Sequence, residues 1–270
     1  MHWKRWITAL IVIPPILLII LKSSPLVFAL ALILVAFLGL WEYFRIVYAD
    51  LEKNMLPLIQ AAGYGCGALV MLSIHYRSFN ALMLTLALNL ITVAIFSILR
   101  FRTHPDAPQA VTKQIFGIIY IPVFLSFLIL IRDGVNGPIW IVFILWVVAW
   151  GDTGALYTGT LWGRRKLCPA VSPKKTVEGA LGGLAANLIS GWLFKLIFFS
   201  AMPGMACVMV SLAAGAAGQA GDLFESEFKR AAGVKDSGKI LPGHGGILDR
   251  IDALLFAAPV AYLLKVLLLP

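Results

Sequence analysis

Charge is what this chain has least of. Of its 270 residues only 13% are Asp, Glu, Lys or Arg, while 60% are hydrophobic. A soluble domain carries about 25% charged residues, so the shortage excludes an ordinary soluble domain and a disordered chain. Cysteine is scarce too. Cys66, Cys168 and Cys207 are odd in number and scattered, which excludes a disulfide scaffold, and all three read as packing residues. Short alternating apolar segments are missing, so a transmembrane barrel is excluded. Walker A, dinucleotide, zinc and nucleophile-elbow motifs are absent, and so is the strong internal repeat of many transporters.

What the chain has instead is long apolar blocks, several near the ~20 residues that span a bilayer as a helix. Nine can be traced, at 6–21, 25–48, 56–76, 80–99, 114–131, 139–161, 180–199, 204–228 and 249–269. The expected fold is an all-α, polytopic membrane protein with about nine transmembrane helices. The first block carries Pro14–Pro15 and reads as a retained, kinked span rather than a cleaved signal. Residues 1–138 form an N-terminal region of about five spans with few polar groups. Residues 139–270 form a C-terminal region in which carboxylates and glycines concentrate, expected to be the catalytic one, with polar loops at 162–179 and 229–248. With the N-terminus cytoplasmic, 17 of the 22 Lys and Arg residues fall on the cytoplasmic side, which selects that orientation. The net charge of +9 then belongs mostly to one membrane face. Its plain reading is a topology signal together with attraction to anionic lipid headgroups, and no nucleic-acid partner is expected.

Carboxylates inside apolar spans are costly and read as functional by default. Asp152, Asp222, Glu225, Glu227, Asp249 and Asp252 sit in or beside such spans. Glu225 and Lys229 are spaced i, i+4, and Glu42 and Arg45 i, i+3, so each reads as a helical ion pair. His75 reads as a satisfied interfacial side chain. Asp152 either meets a ligand hydroxyl or metal or caps a broken helix. Asp222 follows a run of mostly small residues, 211–221, that lets backbones approach closely. Asp249 opens the next helix. An antiparallel helix pair brings these two carboxylates together, and two convergent carboxylates suit magnesium.

Two basic loops complete the picture. One, 229–252, reads KRAAGVKDSGKILPGHGGILDRID. Its glycines Gly243, Gly245 and Gly246 precede a helix start, where backbone N–H groups favour anions. Lys229, Arg230, Lys235, Lys239 and Arg250 add positive charge. The other, GRRKLCPAVSPKKTVEG at 163–179, places Lys174 and Lys175 before Thr176 and Glu178. Lysine is a usual point-charge phosphate ligand. Alone, each loop is also compatible with a topology signal.

The string SEFKRAAGVKDSGKILPGHGGILDRID, 226–252, resembles the signature of the phosphatidate cytidylyltransferase (CDP-diacylglycerol synthase) family. SPKKTVEG at 172–179, GDTGALYTG at 151–159 and GDLFES at 221–226 resemble that family's other motifs and occur in its order. One departure is Leu156, which stands where the family usually has Tyr; Tyr157 follows. The resemblance implies the reaction CTP + phosphatidate → CDP-diacylglycerol + pyrophosphate, within phospholipid biosynthesis. It implies a homodimer of nine-helix subunits in the cell inner (plasma) membrane, with a site open to the cytoplasm. Metal-binding aspartates map onto Asp222 and Asp249, with Mg2+ as cofactor and room for a second cation such as K+. Catalytic residues are expected at Asp222, Asp249, Lys175, Arg250 and His244. Substrate contacts are expected from Ser172, Lys174, Lys175, Glu178, Asp152, Lys229, Arg230, Lys235, Asp236, Gly245 and Gly246. Two rivals remain in view: a CTP-dependent polyprenol or dolichol kinase, and an ion-coupled transporter.

Overall fold

The computed structural model describes residues 13–51, 56–238, 240 and 245–269. In chain order the helices are α1 (Ile13–Lys22), α2 (Pro25–Val47), α3 (Leu56–His75), α4 (Phe79–Arg100), α5 (Ala107–Ile118), a π-helical turn (Ile119–Val123), α6 (Phe124–Arg132) and α7 (Gly137–Trp162). Strands β1 (Lys166–Cys168) and β2 (Ser172–Thr176) follow, then α8 (Val177–Phe198), α9 (Gly204–Ala231) and α10 (Leu248–Leu268). Among the described residues, eight helical stretches are long and apolar enough to cross a membrane. The chain is an all-α, polytopic membrane protein. Of the first apolar block only the part from Ile13 onward lies within the described residues.

Contacts divide the chain into two compact units: 1–130 with 231–249, and 131–230 with 250–270. The segment 231–249, late in sequence, therefore belongs with the first helices.

In the first unit, the aromatic and large aliphatic residues of α2, α3 and α5 make the core. Tyr43, Phe44, Ile59, Met71 and Ile118 are all buried. The C-terminal end of α2 is fastened to α5 by polar bonds. Lys113 Nζ donates to Val47 O at 2.6 Å, Tyr48 Oη to Ala110 O at 2.9 Å, and Tyr43 Oη to Lys113 O at 3.0 Å. Lys113 thus satisfies one of the carbonyls that every helix end leaves without an intrahelical partner. Burial pushes the Tyr48 hydroxyl well above its ordinary range, so it stays a neutral donor. Cys66 packs with Val70 and Ile118, as a packing cysteine should; the described cysteines are all free thiols.

In the second unit, α7 and α8 pack along a seam of small residues. A β-carbon on Gly154 would strike Ala186, and one on Gly182 would strike Thr158. Small side chains here let the two backbones close, as lipid-embedded helices require. Aromatics seal the far end, where Trp140 packs on Phe199 and Phe143 on Phe194. Trp146 Nε1 donates to Ser190 O at 3.1 Å. The run 211–221 does the same for α9 and α10, with Gly218 against Ala253 and Gly221 against Asp252 and Phe256. Lys265, an intramembrane lysine of α10, donates to Ile131 O at 3.3 Å and lies 5.6 Å from the Trp140 ring centroid. It caps the end of α6.

Three expectations are corrected. The loop 162–179 is not all loop: β1 and β2 pair antiparallel, Lys166 opposite Thr176 and Cys168 opposite Ser172. The helix is not broken at Asp152, because α7 runs unbroken to Trp162. Glu42 and Arg45 do not pair with each other; both turn to the segment 231–249, as described below.

Candidate active site

The β1–β2 hairpin is held from below by two side chains. Glu178, in the first turn of α8, accepts from the backbone N–H of Arg164 (3.0 Å) and of Arg165 (3.1 Å), and from Arg165 Nε at 3.3 Å. Arg230 Nε, near the end of α9, donates to Val171 O at 3.2 Å. Thr176 caps α8, its hydroxyl accepting from Gly179 N at 3.1 Å. The hairpin's second strand thereby delivers Lys175 to α9, where its Nζ stands 2.8 Å from Asp222 Oδ2. Each side chain of this pair keeps about a third of its surface open, at 28% and 35%. Lys174, one residue earlier, is exposed, and Ser172 is half-buried.

Asp222 has acidic company. It lies within electrostatic reach of both Asp152 on α7 and Asp252 on α10, and those two also repel each other. Lys175, Arg250 and Lys229 offset part of this negative charge. Lys229 is mostly engaged by Glu225, an i, i+4 ion pair in which the glutamate is fully buried. That pairing is the one expected from spacing. Carboxylates brought near one another are relieved by neighbouring cations or by taking up a proton.

In the first unit, the signature loop wraps Asp249. Its Oδ2 accepts from Ser237 N at 3.0 Å, Ser237 Oγ at 2.9 Å and Gly246 N at 2.8 Å. Gly245 has φ +82°, and a β-carbon there would sit 2.7 Å from the same oxygen. Glycine is required on both counts. Lys235 and Asp236 are exposed beside this turn. His244 and Lys239 lie outside the described residues.

Comparison with known proteins then decides the family. The chain matches the Cytidylyltransferase family over residues 3–268. It belongs to that family. Its relatives include the phosphatidate cytidylyltransferase of Haemophilus influenzae, 30% identical over 95% of this chain and 96% of that protein. That of Staphylococcus saprophyticus is 33% identical over 97% and 98%. That of Bacillus subtilis is 43% identical over 55% of this chain and 56% of its own.

For this cytidylyltransferase family member, the sequence reading picked Lys175, Asp222, Asp152, Lys229 and Arg250, which the second unit collects into one electrostatic neighbourhood. It also picked Asp249, Gly245 and Gly246, which the first unit joins. Glu178 and Arg230 hold backbone of the hairpin. Ser237, Glu42 and Arg45 were missed. A carboxylate in an apolar span was the available signal for Glu42, but the i, i+3 arginine drew the reading to a local pair. Asp252 was noticed as a carboxylate in a span and given no role.

The donor chemistry suits magnesium. Among the described residues no three His, Cys, Asp or Glu side chains converge into a cage. Magnesium does not need one, since it uses one or two carboxylates and completes its shell with water and substrate phosphates. The acidic cluster around Asp222 supplies hard oxygens and a charge that a divalent cation would relieve.

Proposed function

We propose that this chain is a phosphatidate cytidylyltransferase, catalysing CTP + phosphatidate → CDP-diacylglycerol + pyrophosphate. The observation that carries the reading is the Lys175–Asp222 contact in a family member matched along its whole length. An ammonium and a carboxylate, both partly open, meet where a charged substrate and its cation need opposite partners.

The chemistry asks for positioning and charge neutralisation rather than a protein nucleophile. An oxygen of the phosphatidate phosphate attacks the α-phosphorus of CTP. The bond from that phosphorus to the bridging oxygen breaks, and pyrophosphate leaves. Lys174 and Lys175 neutralise phosphate oxygens from the hairpin, with Arg250, Lys229 and Arg230 nearby in sequence motif and charge. Gly246 N is taken by Asp249, so Gly245 supplies the proposed backbone contact of this turn, and Lys235, Asp236, Ser172 and His244 are further proposed contacts. Asp222 and Asp249 are each proposed as a ligand for magnesium, as the family resemblance implies. When bound, the ion would stabilise negative charge on the triphosphate and the leaving group.

Homodimerisation, placement in the cell inner membrane and a site facing the cytoplasm complete the proposal. The lipid substrate explains why the catalytic side chains are carried on membrane helices. The test is product analysis. Purified protein in mixed micelles with CTP and phosphatidate should release pyrophosphate and form CDP-diacylglycerol. Release of CDP with phosphorylation of a lipid alcohol would show the kinase reading instead.

A further inference from the structure

Glu42 is a carboxylate with no exposed surface, placed one turn from the end of α2. Its Oε2 accepts from Leu248 N at 2.8 Å and from Ser237 Oγ at 3.1 Å, and its Oε1 has no hydrogen-bond partner among the described residues. A β-carbon on Gly238 or on Gly246 would strike this carboxylate, so the loop is built around it. Arg45, one turn on, donates from Nη2 to Ser237 O at 3.0 Å, with its guanidinium 5.3 Å from the Trp41 ring centroid.

Ser237 is thus gripped on both sides. It is fully buried, its carbonyl is taken by Arg45, and its N–H and hydroxyl are taken by Asp249. Its single hydroxyl proton stands between two carboxylates, 2.9 Å from Asp249 Oδ2 and 3.1 Å from Glu42 Oε2. The hydroxyl oxygen also receives Asp249 N at 3.3 Å. Glu42 itself cannot drift, because the end of α2 is fastened to α5 through Lys113 and Tyr48.

We propose that Glu42 is a positioning residue for the transfer reaction, acting through Ser237 to hold Asp249 in its working orientation. A carboxyl group with no exposed surface costs several kcal/mol unless its oxygens are satisfied, and the donors that serve this one lie in Ser237 and Leu248 rather than in α2. What it gains is a fixed place for Ser237 and for the start of α10, the two points between which Asp249 is held. Sites built on loops need support from rigid elements, and α2 is that element. The proposal rests on the cytidylyltransferase reading and adds a residue from the first spans to its machinery.

The test is a double-mutant cycle of Glu42→Gln and Ser237→Ala in the full chain in detergent micelles, read two ways. The first readout is hydrogen–deuterium exchange of the 234–249 segment. The second is kcat and KM for CTP with phosphatidate. Glu42→Gln leaves one oxygen to serve Leu248 N and Ser237 and adds a buried amide donor. It should expose the segment to faster exchange while leaving α5 and α7 protected. It should lower kcat by about 10- to 150-fold, the span of one charge-assisted hydrogen bond, with KM for CTP changed less than about threefold. Ser237→Ala should act alike, and the double variant should be no worse than the worse single one, because both break one chain of contacts.

Normal exchange and normal kcat in Glu42→Gln would overturn the proposal, as would single effects that multiply. If Glu42→Gln does not fold, Ser237→Ala together with Arg45→Lys completes the cycle on the same loop. If the wild-type chain made no CDP-diacylglycerol, the functional reading would fall, while the exchange data would still decide whether Glu42 organises the loop.

Discussion

Lys175 Nζ meets Asp222 Oδ2 at 2.8 Å across the hairpin and α9, and the two residues make unequal demands on the reaction. Under the proposed reaction the lysine would serve phosphate and the aspartate a cation. Asp222 already stands among Asp152 and Asp252, so Lys175 is also its local counter-charge. Lys175→Ala should lower kcat by roughly 10- to 150-fold, the worth of one charge-assisted contact of about 1.5–3 kcal/mol. The same change frees Asp222 from a competing cation. The magnesium concentration for half-maximal rate should therefore fall or stay level, while Asp222→Asn should raise it steeply or abolish activity. Magnesium titrations of both variants check this. A raised magnesium requirement in Lys175→Ala would contradict the assignment of roles.

The second prediction is topological. With the N-terminus cytoplasmic, Lys174 on the hairpin and Val135 in the turn before α7 face opposite compartments. Both are exposed in the second unit. In a background lacking Cys66, Cys168 and Cys207, Lys174→Cys should react with an impermeant maleimide only in inside-out vesicles. Val135→Cys should react only in right-side-out vesicles or intact cells. The reverse pattern would invert the membrane map.

The helices were legible because bilayer-spanning runs need no periodicity to be seen; hydropathy alone marks them. The small-residue stretch before Asp222 also announced its packing, and α9 does approach α10 closely at Gly218 and Gly221. The hairpin was not legible. Its strands are only three and five residues long, and what holds them is not strand propensity but Glu178 and Arg230 gripping backbone. Long-range pairing defeated the reading of Glu42 as well. Its partners Ser237 and Leu248 lie 195 and 206 residues away, whereas Arg45 lies three. Spacing arguments weigh only local neighbours, and here the distant ones prevailed. The loop that carries Asp249 joins the unit formed by the first helices, a grouping that chain order conceals.

Gly245 tests how tightly that loop is drawn. Its φ of +82° is a left-handed backbone that an L side chain adopts only at a cost of about 1–2 kcal/mol, and its β-carbon would press on Asp249 Oδ2 at 2.7 Å. Gly245→Ala should lower thermal stability modestly and reduce kcat by more than the stability change alone accounts for. Activity measured well below the melting temperature separates the two. Gly233 has a similar φ of +65° but open space around it, so Gly233→Ala should share the stability loss and spare kcat. Equal kinetic losses in both variants would mean that backbone strain, and not pressure on Asp249, is responsible.

Asp249→Asn separates structure from chemistry at the acid itself. The Oδ2 of Asp249 takes three donors, from Ser237 N, Ser237 Oγ and Gly246 N. An asparagine can turn its carbonyl oxygen to that position and keep all three, now as neutral hydrogen bonds. Charged acceptors are worth about 1.5–3 kcal/mol per bond and neutral ones about 0.5–1.5, so the folded state should lose on the order of 1–3 kcal/mol in total, since such terms do not add fully. The fold should therefore survive, and the loop should keep its path. A metal ligand is a different matter: the amide supplies no charge and no second anionic oxygen, and magnesium sheds its water only for strong, hard donors. Asp249→Asn should thus be folded yet inactive, with little rescue by added magnesium. Substitution to Ala should cost more stability, because Ser237 N and Gly246 N then lose their acceptor and Ser237 Oγ keeps only Glu42 Oε2. Near wild-type turnover of CTP and phosphatidate by Asp249→Asn at ordinary magnesium would reduce Asp249 to a loop anchor, and the chemistry would then rest on Asp222 and its acidic neighbours Asp152 and Asp252.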